Sequence, residues 1–293
     1  MVHGGCGNPA GATIAHEEDY HRGLEEAVRA AAAALTAGAG AVGAAQAAVS
    51  RLEDAPMFNA GRGSVLTADG TVEMDAAIMC GRRGLSGSVA AVTTVRHPVA
   101  LARAVMETTG DAMLVGAGAE RFAASPELEL ERMDPGWFVT ERQLERLRRA
   151  REGVAHEDPG DTPIGTVGAV VLDDDGALAA ATSTGGRRGQ RAGRVGDSPI
   201  VGAGVFADAT VAVSATGNGE AMVRMCGAHE LSALMRHRGL DLASACESVT
   251  QGIEEVGLIA VDRNGNFAMP FDTTLMHRAW KLGAGPVETR VFR

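Results

Sequence analysis

The chain has 293 residues and a formal net charge of −10, with 45% hydrophobic and 22% charged residues. This composition is ordinary for a globular protein, and the acidic balance argues against a general nucleic-acid binder, which carries a basic surface. Glycine is abundant at 39 residues, but it shows no Gly-X-Y period, so a collagen-like chain is excluded and many tight turns are expected.

Helices dominate the first half of the chain. An alanine-rich segment begins with acidic residues, which stabilise a helix N-terminus, and Pro98 suits the first turn of a later helix. In chain order the expected elements are helices over 17–37 and 41–52, a loop over 58–64, a hairpin at Asp69-Gly70, a strand over 88–95, a helix over 98–108, short mixed elements over 114–122 and a helix over 141–152.

The composition changes at residues 153–163, which are polar, contain proline and show no periodicity, as in an exposed linker. Strands and helices then follow one another in blocks, which favours layered α+β packing over a parallel βαβ array. The expected elements are strands over 166–172, 177–182 and 211–214, helices over 220–238 and 242–255, and a hairpin formed by 258–261 and 266–271.

The sequence also indicates a compartment. The four cysteines lie far apart without a C-x-x-C pair, so neither a disulfide framework nor a zinc site is expected. The first residues lack the basic and apolar regions of a signal peptide, and no uncharged apolar run reaches the roughly 18 residues of a membrane span. We therefore expect a cytoplasmic protein with free thiols and with neither membrane nor nucleic acid as a partner.

Two motifs point to chemistries that their context does not support. Residues 38–43 match G-x-G-x-x-G, but a dinucleotide site needs a strand before this motif, and an alanine-rich helix former precedes it. A connection between two helices is the favoured interpretation. The His3-Gly4-Gly5 segment is similar to a lipase oxyanion loop, which requires a G-x-S-x-G elbow that this chain lacks.

Glycine and threonine cluster at 165–166, 182–186 and 216–219. Such clusters are typical of turns and strand ends, but Thr166 follows the exposed linker directly. Cleavage there would make Thr166 an N-terminus, and its α-amine, with a pKa near roughly 7.7, could act as base for its own hydroxyl. Arg194 and Asp197 have opposite charges and suit a substrate that carries both a carboxylate and an ammonium group.

These residues resemble the plant-type L-asparaginase/isoaspartyl peptidase family of N-terminal nucleophile hydrolases. The similar motifs occur in the family's order and spacing and together span nearly the whole chain, although each motif alone is weak. They are His3-Gly4-Gly5, Phe58-Asn59-Ala60-Gly61, Asp161-Thr162-Pro163-Ile164-Gly165-Thr166-Val167-Gly168-Ala169-Val170, Ala181-Thr182-Ser183-Thr184-Gly185-Gly186, Gly193-Arg194-Val195-Gly196-Asp197-Ser198-Pro199 and Thr216-Gly217-Asn218-Gly219-Glu220.

The resemblance implies a single domain over 1–293 with an α+β fold, a four-layer αββα sandwich in which two mainly antiparallel sheets stack between helical layers. It implies autocatalytic cleavage between Gly165 and Thr166. The products would be an α chain, 1–165, that ends in a flexible linker at about 153–165, and a β chain, 166–293. It also implies a homodimer of such αβ pairs.

The resemblance further assigns roles within the site. Thr166 would be the nucleophile, with Thr184 beside it, while Arg194 would bind the substrate α-carboxylate. Thr216 and the Gly217 N–H would form an oxyanion hole, supported by Asn59, and Asp197 with the Gly219 carbonyl would bind the substrate ammonium group. His3, Gly4 and Gly5 would line the maturation site. The resemblance also implies a sodium ion that is held by backbone carbonyls of Leu52, Glu53, Ala55, Phe58, Ala60 and Arg62.

The implied activity is hydrolysis of the side-chain amide of L-asparagine and of β-aspartyl (isoaspartyl) dipeptides, with no cofactor for the chemistry. Two alternatives remain: a glycosylasparaginase-type amidase, and an uncleaved protein that binds aspartyl-like ligands. The chain departs from the family pattern at 108–111, at 252–257 and at Asp272. None of these is a catalytic position, so they leave open the substrate preference and the local stability.

Overall fold

The computed structural model describes residues 1–9, 16–153 and 165–292. They form a mixed α+β fold with eight α-helices and two β-sheets. The helices are α1 (Glu17–Thr36), α2 (Gly40–Asp54), α3 (Pro98–Thr108), α4 (Gly116–Ala123), α5 (Glu141–Arg151), α6 (Gly219–Met225), α7 (Gly227–Arg238) and α8 (Leu242–Thr250).

The twelve strands divide between a large and a small sheet. The large sheet has the order β12-β11-β1-β5-β6-β2-β3-β4 and the small sheet β10-β9-β8-β7. All pairs of neighbouring strands are antiparallel except β3 with β4. The strands are β1 (Val2–Gly7), β2 (Met74–Cys80), β3 (Leu85–Val92), β4 (Met113–Val115), β5 (Val167–Leu172), β6 (Leu178–Thr184), β7 (Val205–Ala207), β8 (Val211–Gly217), β9 (Val256–Asp262), β10 (Phe267–Ala268), β11 (Leu275–Trp280) and β12 (Glu288–Phe292).

The two faces of the large sheet pack against different elements, because successive side chains of a strand point to opposite faces. On one face Ala181 of β6 belongs to the buried cluster that contains Leu24 of α1 and Leu52 of α2. On the other face Ala180 belongs to a cluster with Ala212 and other residues of the small sheet. The odd and even positions of β6 therefore face different partners.

The small sheet also packs on both faces. Val211 and Val213 of β8 belong to a third cluster, which includes Leu231 of α7 and Cys246 of α8. Ala212, between them in sequence, faces the large sheet instead. The same alternation thus separates the side chains that meet helices from those that lie between the sheets.

The structure confirms the predicted helices before residue 152 to within a few residues. Helix α1 precedes Gly38, so the glycine motif connects two helices and lacks the context of a dinucleotide site. The single helix predicted over 220–238 is wrong. Cys226 has a φ of 49°, in the left-handed region, and divides the segment into α6 and α7. The helix predicted over 242–255 ends at Thr250.

The strand predictions need several corrections. Asp69-Gly70 forms a turn, but the residues on either side are not strands, so the predicted hairpin is wrong. Strand β3 lies about three residues before its predicted position, and β6 continues to Thr184, so 182–184 is strand rather than turn. Strands β1, β2, β7, β11 and β12 were not predicted. Strands β1 and β2 are rich in Gly, Ala and Met rather than in β-branched residues, and β7 has only three residues.

The loop predicted over 58–64 and the final hairpin are confirmed. The predicted linker falls mostly on residues 154–164, which lie outside the described residues. The division into 1–165 and 166–293 stays a prediction.

Candidate active site

Thr166 immediately precedes β5 and is buried, with 8% of its surface exposed. Its Oγ1 lies 3.1 Å from Oγ of Ser198. Because Val167 pairs with Ser183 in the antiparallel β5–β6 pair, Thr166 lies alongside Thr184 one residue further along. The sheet register thus places two predicted site hydroxyls on neighbouring strands.

Asn59 fixes the end of β6 that carries Thr184. The Asn59 side chain donates to the Gly186 carbonyl at 2.8 Å and accepts from the Val65 N–H at 2.8 Å. The Gly185 N–H donates to the Asn59 carbonyl at 3.1 Å, and Thr184 Oγ1 accepts from the Gly186 N–H at 3.0 Å. Asn59 therefore holds the turn after Thr184, and its role in supporting the nucleophile and oxyanion region stays a prediction.

Thr216 and Gly217 end β8 of the small sheet. Thr216 Oγ1 is buried, and among the described residues it has no hydrogen-bond partner. It lies against Gly165, where an added Cβ would collide with it. Gly217 has a φ of 111°, and a Cβ there would collide with the Glu255 carbonyl. An unpartnered buried hydroxyl beside Gly165 is a polar group to which a reacting oxygen could bind.

His3, Gly4 and Gly5 lie in β1, and Gly5 approaches the Gly165 backbone. Gly5 has a φ of 106°, and a Cβ there would lie 2.6 Å from the Gly165 nitrogen. A Cβ on Gly4 would collide with the ring of Phe58. Only glycine at position 5 allows the two backbones to approach so closely. The structure therefore brings Gly5 of β1 against Gly165, and the maturation role of His3, Gly4 and Gly5 stays a prediction.

His3 begins a chain of buried polar groups below this segment. Its Nε2 lies 2.8 Å from Ser214 Oγ, which lies 2.8 Å from Thr182 Oγ1. Burial lowers the pKa of His3 to about 3, although the backbone of Thr166 opposes this shift. A neutral imidazole thus links both sheets beneath Thr166.

The loop over 193–199 carries the predicted substrate-binding charges. The Arg194 guanidinium forms a two-pronged pair with Glu220, with Nη2 2.9 Å from Oε2 and Nε 3.2 Å from Oε1. Asp197 is buried, and its Oδ1 lies 2.5 Å from the position of a Cβ on Gly219. Burial raises the pKa of Asp197 to about 6, while its backbone and Arg194 act in the opposite direction. The predicted cation, anion and glycine are therefore adjacent.

Sequence reasoning assigned no role to three residues of this region. Glu220 directly follows Gly219 in a quoted motif, and Ser198 lies in the Arg194 motif, so both had a positional signal. Asp75 lies in the otherwise apolar strand β2 and had none. Their contacts join segments far apart in sequence, so a local pattern could not show them.

The predicted sodium loop folds back on itself. The Arg62 N–H donates to the Glu53 carbonyl at 2.7 Å, and the Phe58 N–H to the Ala55 carbonyl at 3.1 Å. A Cβ on Gly63 would lie 2.8 Å from the Phe58 carbonyl oxygen. The Glu53 and Ala55 carbonyls, two of the six predicted sodium ligands, thus already accept hydrogen bonds within the loop, and a sodium ion there stays a prediction. No cluster of three or more His, Cys, Asp or Glu suited to a metal occurs in the described ranges.

The Glu53 side chain connects this loop to β6. Its Oε1 accepts from the Ser183 hydroxyl at 2.6 Å and from the Val99 N–H at 3.0 Å. Burial raises the pKa of Glu53, and hydrogen bonding to His97 is the largest opposing effect. The loop that carries Asn59 is therefore tied to the strand that carries Thr184.

The hydroxyls of Thr166, Thr184, Ser198 and Thr216 consequently lie around the Gly165–Thr166 peptide, and Ser198 belongs to the same loop as Arg194 and Asp197. Thr166 can serve as a nucleophile, Thr216 and the Gly217 N–H can stabilise an oxyanion, and Arg194 with Asp197 can hold a zwitterionic amino acid. Such a set suits acyl transfer from an amide. Among the described residues, no helix is long and apolar enough to cross a membrane.

The comparisons with known proteins agree with this chemistry. The family model described as asparaginase matches residues 1–290. An isoaspartyl peptidase of Salmonella typhimurium is 45% identical over 309 residues, covering 100% of this chain and 97% of that protein. A plant-type L-asparaginase of Pyrobaculum calidifontis is 43% identical, with 96% and 95% covered. The isoaspartyl peptidase/L-asparaginase of Homo sapiens is 40% identical, with 94% and 90% covered. The resemblance inferred from the motifs is confirmed.

Proposed function

Because this chain belongs to the asparaginase family, we propose that it hydrolyses the side-chain amide of L-asparagine and the isopeptide bond of β-aspartyl dipeptides. The observation that carries this proposal is the position of Thr166. Its buried hydroxyl lies beside Thr184 and Ser198, next to the loop that presents Arg194 and Asp197. The chain is an amidohydrolase, and these residues form its proposed catalytic site.

The first proposed step is maturation of the chain. Thr166 Oγ1 attacks the Gly165 carbonyl carbon, the C–N bond breaks, and the hydroxyl proton ends on the released amine. Water then hydrolyses the ester, which leaves a carboxylate on Gly165 and a free Thr166 N-terminus. The close packing of Gly5 and Thr216 against Gly165 supports this step, because it fixes the peptide that must react.

The second step is hydrolysis of the substrate. Arg194 binds the α-carboxylate, and Asp197 with the Gly219 carbonyl binds the α-ammonium group. The freed α-amine of Thr166 takes the hydroxyl proton as Oγ1 attacks the side-chain carbonyl. The proton then passes to the leaving ammonia or peptide amine. Water hydrolyses the acyl-enzyme ester, which releases aspartate and restores Thr166.

Two groups stabilise charge in this cycle. Thr216 Oγ1 and the Gly217 N–H would donate to the developing oxyanion, an interaction typically worth about 3–4 kcal/mol for one donor. Their support is the position of the unpartnered Thr216 hydroxyl beside Gly165. The Thr184 hydroxyl, on the neighbouring strand, would adjust the basicity and orientation of Thr166.

We also propose that the fold is the four-layer αββα sandwich of N-terminal nucleophile hydrolases. Three separate buried clusters support this assignment. One contains α1–α3 and one face of the large sheet, the second contains facing residues of both sheets, and the third contains the small sheet and α7 and α8. The clusters thus follow the order helices, large sheet, small sheet, helices, which is the order of layers in an αββα sandwich.

Three further proposals follow from family membership. The loop over 52–62, which carries Asn59, would hold a sodium ion through backbone carbonyls. The bound ion would stabilise the conformation of this loop. The protein would be cytoplasmic, and it would assemble as a homodimer of αβ pairs. The molar mass of the cleaved protein in analytical ultracentrifugation tests the assembly. The midpoint of thermal unfolding in a sodium salt, compared with that in a salt of a bulky organic cation, tests the sodium loop.

Intact mass spectrometry of the aged protein, combined with assays on L-Asn and β-Asp-Leu, tests the main proposal. We expect fragments 1–165 and 166–293 and release of aspartate from both substrates. A chain that stays whole for weeks while hydrolysing L-Asn would exclude the N-terminal nucleophile mechanism. Turnover of glycosylated asparagine alone would favour the glycosylasparaginase alternative, and an uncut chain that binds aspartate without turnover would favour the binding-protein alternative.

A further inference from the structure

Strand β9 begins beside the two residues of the proposed oxyanion hole. In the antiparallel β8–β9 pair, Thr216 lies opposite Gly257, and Gly217 lies opposite Val256. On its other side the start of β9 meets the segment that leads into β11, where Gly257 forms an isolated bridge with Phe271. The first residues of β9 therefore lie between the end of β8 and this segment.

Glu255, which immediately precedes β9, contacts the backbone of the oxyanion hole. Its carbonyl accepts a hydrogen bond from the Asn218 N–H at 2.9 Å. A Cβ on Gly217 would collide with the same carbonyl oxygen, and Gly217 has a φ of 111°, which glycine adopts readily. The Glu255 carbonyl thus fixes the peptide that follows Gly217, and a displacement of Glu255 would move the Gly217 backbone.

Glu255 is itself held by the carboxylate of Asp272. Glu255 has a φ of 58°, in the left-handed region, and such a backbone persists only where surrounding contacts fix it. Asp272 Oδ2 accepts from the Glu255 N–H at 2.9 Å, and Oδ1 accepts from the Val256 N–H at 2.8 Å. The Asp272 N–H in turn donates to the Val256 carbonyl at 3.2 Å. The carboxylate therefore binds two successive N–H groups at the point where the chain enters β9.

A second carboxylate makes the same kind of contact at the far end of the strand. Asp262 ends β9, and its Oδ1 accepts from the N–H groups of Asn264 and Asn266 at 2.8 and 2.9 Å. β9 has seven residues, so its two ends lie roughly 20 Å apart at about 3.4 Å per residue. Asp262 thus holds a turn that is remote from Gly217, whereas Asp272 holds the backbone that contacts Gly217.

We propose that Asp272 is a positioning residue for the oxyanion hole: its carboxylate holds the backbone of Glu255 and Val256, which keeps the Gly217 N–H in place beside Thr216. This inference rests on the proposed role of Thr216 and the Gly217 N–H in stabilising the oxyanion. Asp272 acts through the backbone at the start of β9 and does not touch the substrate.

The main test compares Asp272→Ala with Asp262→Ala by steady-state kinetics of the cleaved enzyme on L-Asn. Loss of one oxyanion-hole donor typically lowers kcat about 10²–10³-fold, so a misaligned Gly217 N–H should lower it at least about fivefold. KM should change less than about twofold, because the contacts of Arg194 and Asp197 with the substrate are kept.

Asp262→Ala is the matched control for a general loss of stability. It makes the same truncation at the remote end of β9, so it should lower the midpoint of thermal unfolding but change kcat less than about twofold. An unchanged kcat in Asp272→Ala, or an equal loss of kcat in both variants, would overturn the proposal.

The conservative variant Asp272→Asn separates a positioning role from a role of the charge. Asparagine loses the charge but keeps a carbonyl oxygen that can accept hydrogen bonds from backbone N–H groups. It should therefore recover most of the kcat that Asp272→Ala loses. An equal loss in the two variants would show that the charge acts on the reaction, and it would overturn the proposal.

A second substrate separates positioning from contact with the leaving group, which is the alternative because Asp272 is exposed. L-Asn and β-Asp-Leu form the same oxyanion, so Asp272→Ala should lower kcat for both by factors that agree within about twofold. A loss confined to β-Asp-Leu would overturn the proposal in favour of a leaving-group contact. Failure of the wild type to hydrolyse either substrate would instead reject the proposed function, so the two failures are distinguishable.

Asp272→Glu keeps the test decisive if the alanine variant does not fold. Glutamate keeps the charge but moves both oxygens outward by one methylene group, so the backbone of Glu255 and Val256 must shift to reach them. We expect kcat to fall at least about threefold, because small displacements of a catalytic group are costly, and KM to stay within about twofold of the wild type. An unchanged kcat in this variant would overturn the proposal.

Discussion

The strand ends that carry the threonines and the loop that carries Arg194 are constructed in opposite ways. Thr166, Thr184 and Thr216 lie at the ends of β5, β6 and β8, and the sheets fix these neutral hydroxyls through backbone register. The loop over 193–199 lacks regular structure. Backbone hydrogen bonds and charged contacts hold it, among them the Arg194–Glu220 pair.

In the proposed mechanism, this difference corresponds to two different tasks. A nucleophile and its oxyanion hole must be placed to a fraction of an ångström, which rigid strands provide. A site for a zwitterionic head group needs charges that can exchange one partner for another, and Arg194 can pass from Glu220 to a substrate carboxylate of the same geometry. Changes at the strand ends should therefore abolish chemistry, whereas changes in the loop should weaken binding.

The largest effect is expected for Thr166→Ala. The variant lacks the hydroxyl that attacks both the Gly165 carbonyl and the substrate amide, so maturation and hydrolysis should be lost together. Thr166→Ser keeps a hydroxyl but loses the methyl group that restricts its rotamers, and it should mature slowly with reduced activity. Intact mass spectrometry and L-Asn turnover measure both properties. If a pre-cut pair of 1–165 and an alanine-initiated β chain matched the wild type, the nucleophile would lie elsewhere.

A loop substitution should separate binding from chemistry. Arg194→Lys keeps the charge but loses the two-pronged fork, so we expect kcat/KM for L-Asn to fall at least tenfold, which corresponds to about 1.4 kcal/mol of transition-state stabilisation. Cleavage before Thr166 should proceed at the wild-type rate. A variant with unchanged kcat/KM would remove Arg194 from the site, and one that also failed to mature would show that the two regions are not independent.

The pKa of Asp197 provides a pH test of the loop. Because burial raises this pKa to about 6, protonation below pH 6 should remove the anion that binds the substrate ammonium, and KM for L-Asn should rise as pH falls. The folded state binds this proton more tightly than the unfolded state. The contribution of Asp197 to the free energy of unfolding therefore decreases as pH rises from about 4 to 6. Asp197→Asn should lack both dependences, as KM profiles and urea unfolding can show.

Different signals in the sequence predicted the site and the fold. Residue type and spacing singled out Thr166, Arg194 and Asp197, whose roles stay predictions, and the helices α1 and α3 were predicted because acidic residues or proline begin them. Strand β1 was missed, because a glycine-rich segment has little strand propensity and pairs only with distant residues. Only a tertiary contact pairs Glu220 with Arg194, so the position of Glu220 beside the loop could not be read from the local sequence.

The buried hydroxyl chain below Thr166 should contribute measurably to stability. Ser214→Ala leaves His3 Nε2 and Thr182 Oγ1 without the partner that each has at 2.8 Å. Leaving a buried polar group unsatisfied costs about 1–3 kcal/mol. Urea unfolding in the uncut Thr166→Ala background measures this loss on a single chain. The exposed Ser248→Ala is the matched control and should change the free energy of unfolding by less than about 0.5 kcal/mol.

The smallest effect on stability is expected for Glu220→Gln, which tests the loop in the same background. The Arg194 and Glu220 side chains are 18% and 37% exposed, so water and salt weaken their attraction. Exposed pairs contribute about 0–1 kcal/mol, and the loss in this variant should shrink further at high ionic strength. A loss as large as that of Ser214→Ala, and independent of salt, would contradict the division between the two regions. It would mean that the charges of the loop stabilise the fold as much as the buried hydroxyls do, and that Arg194 is not free to exchange Glu220 for a substrate carboxylate.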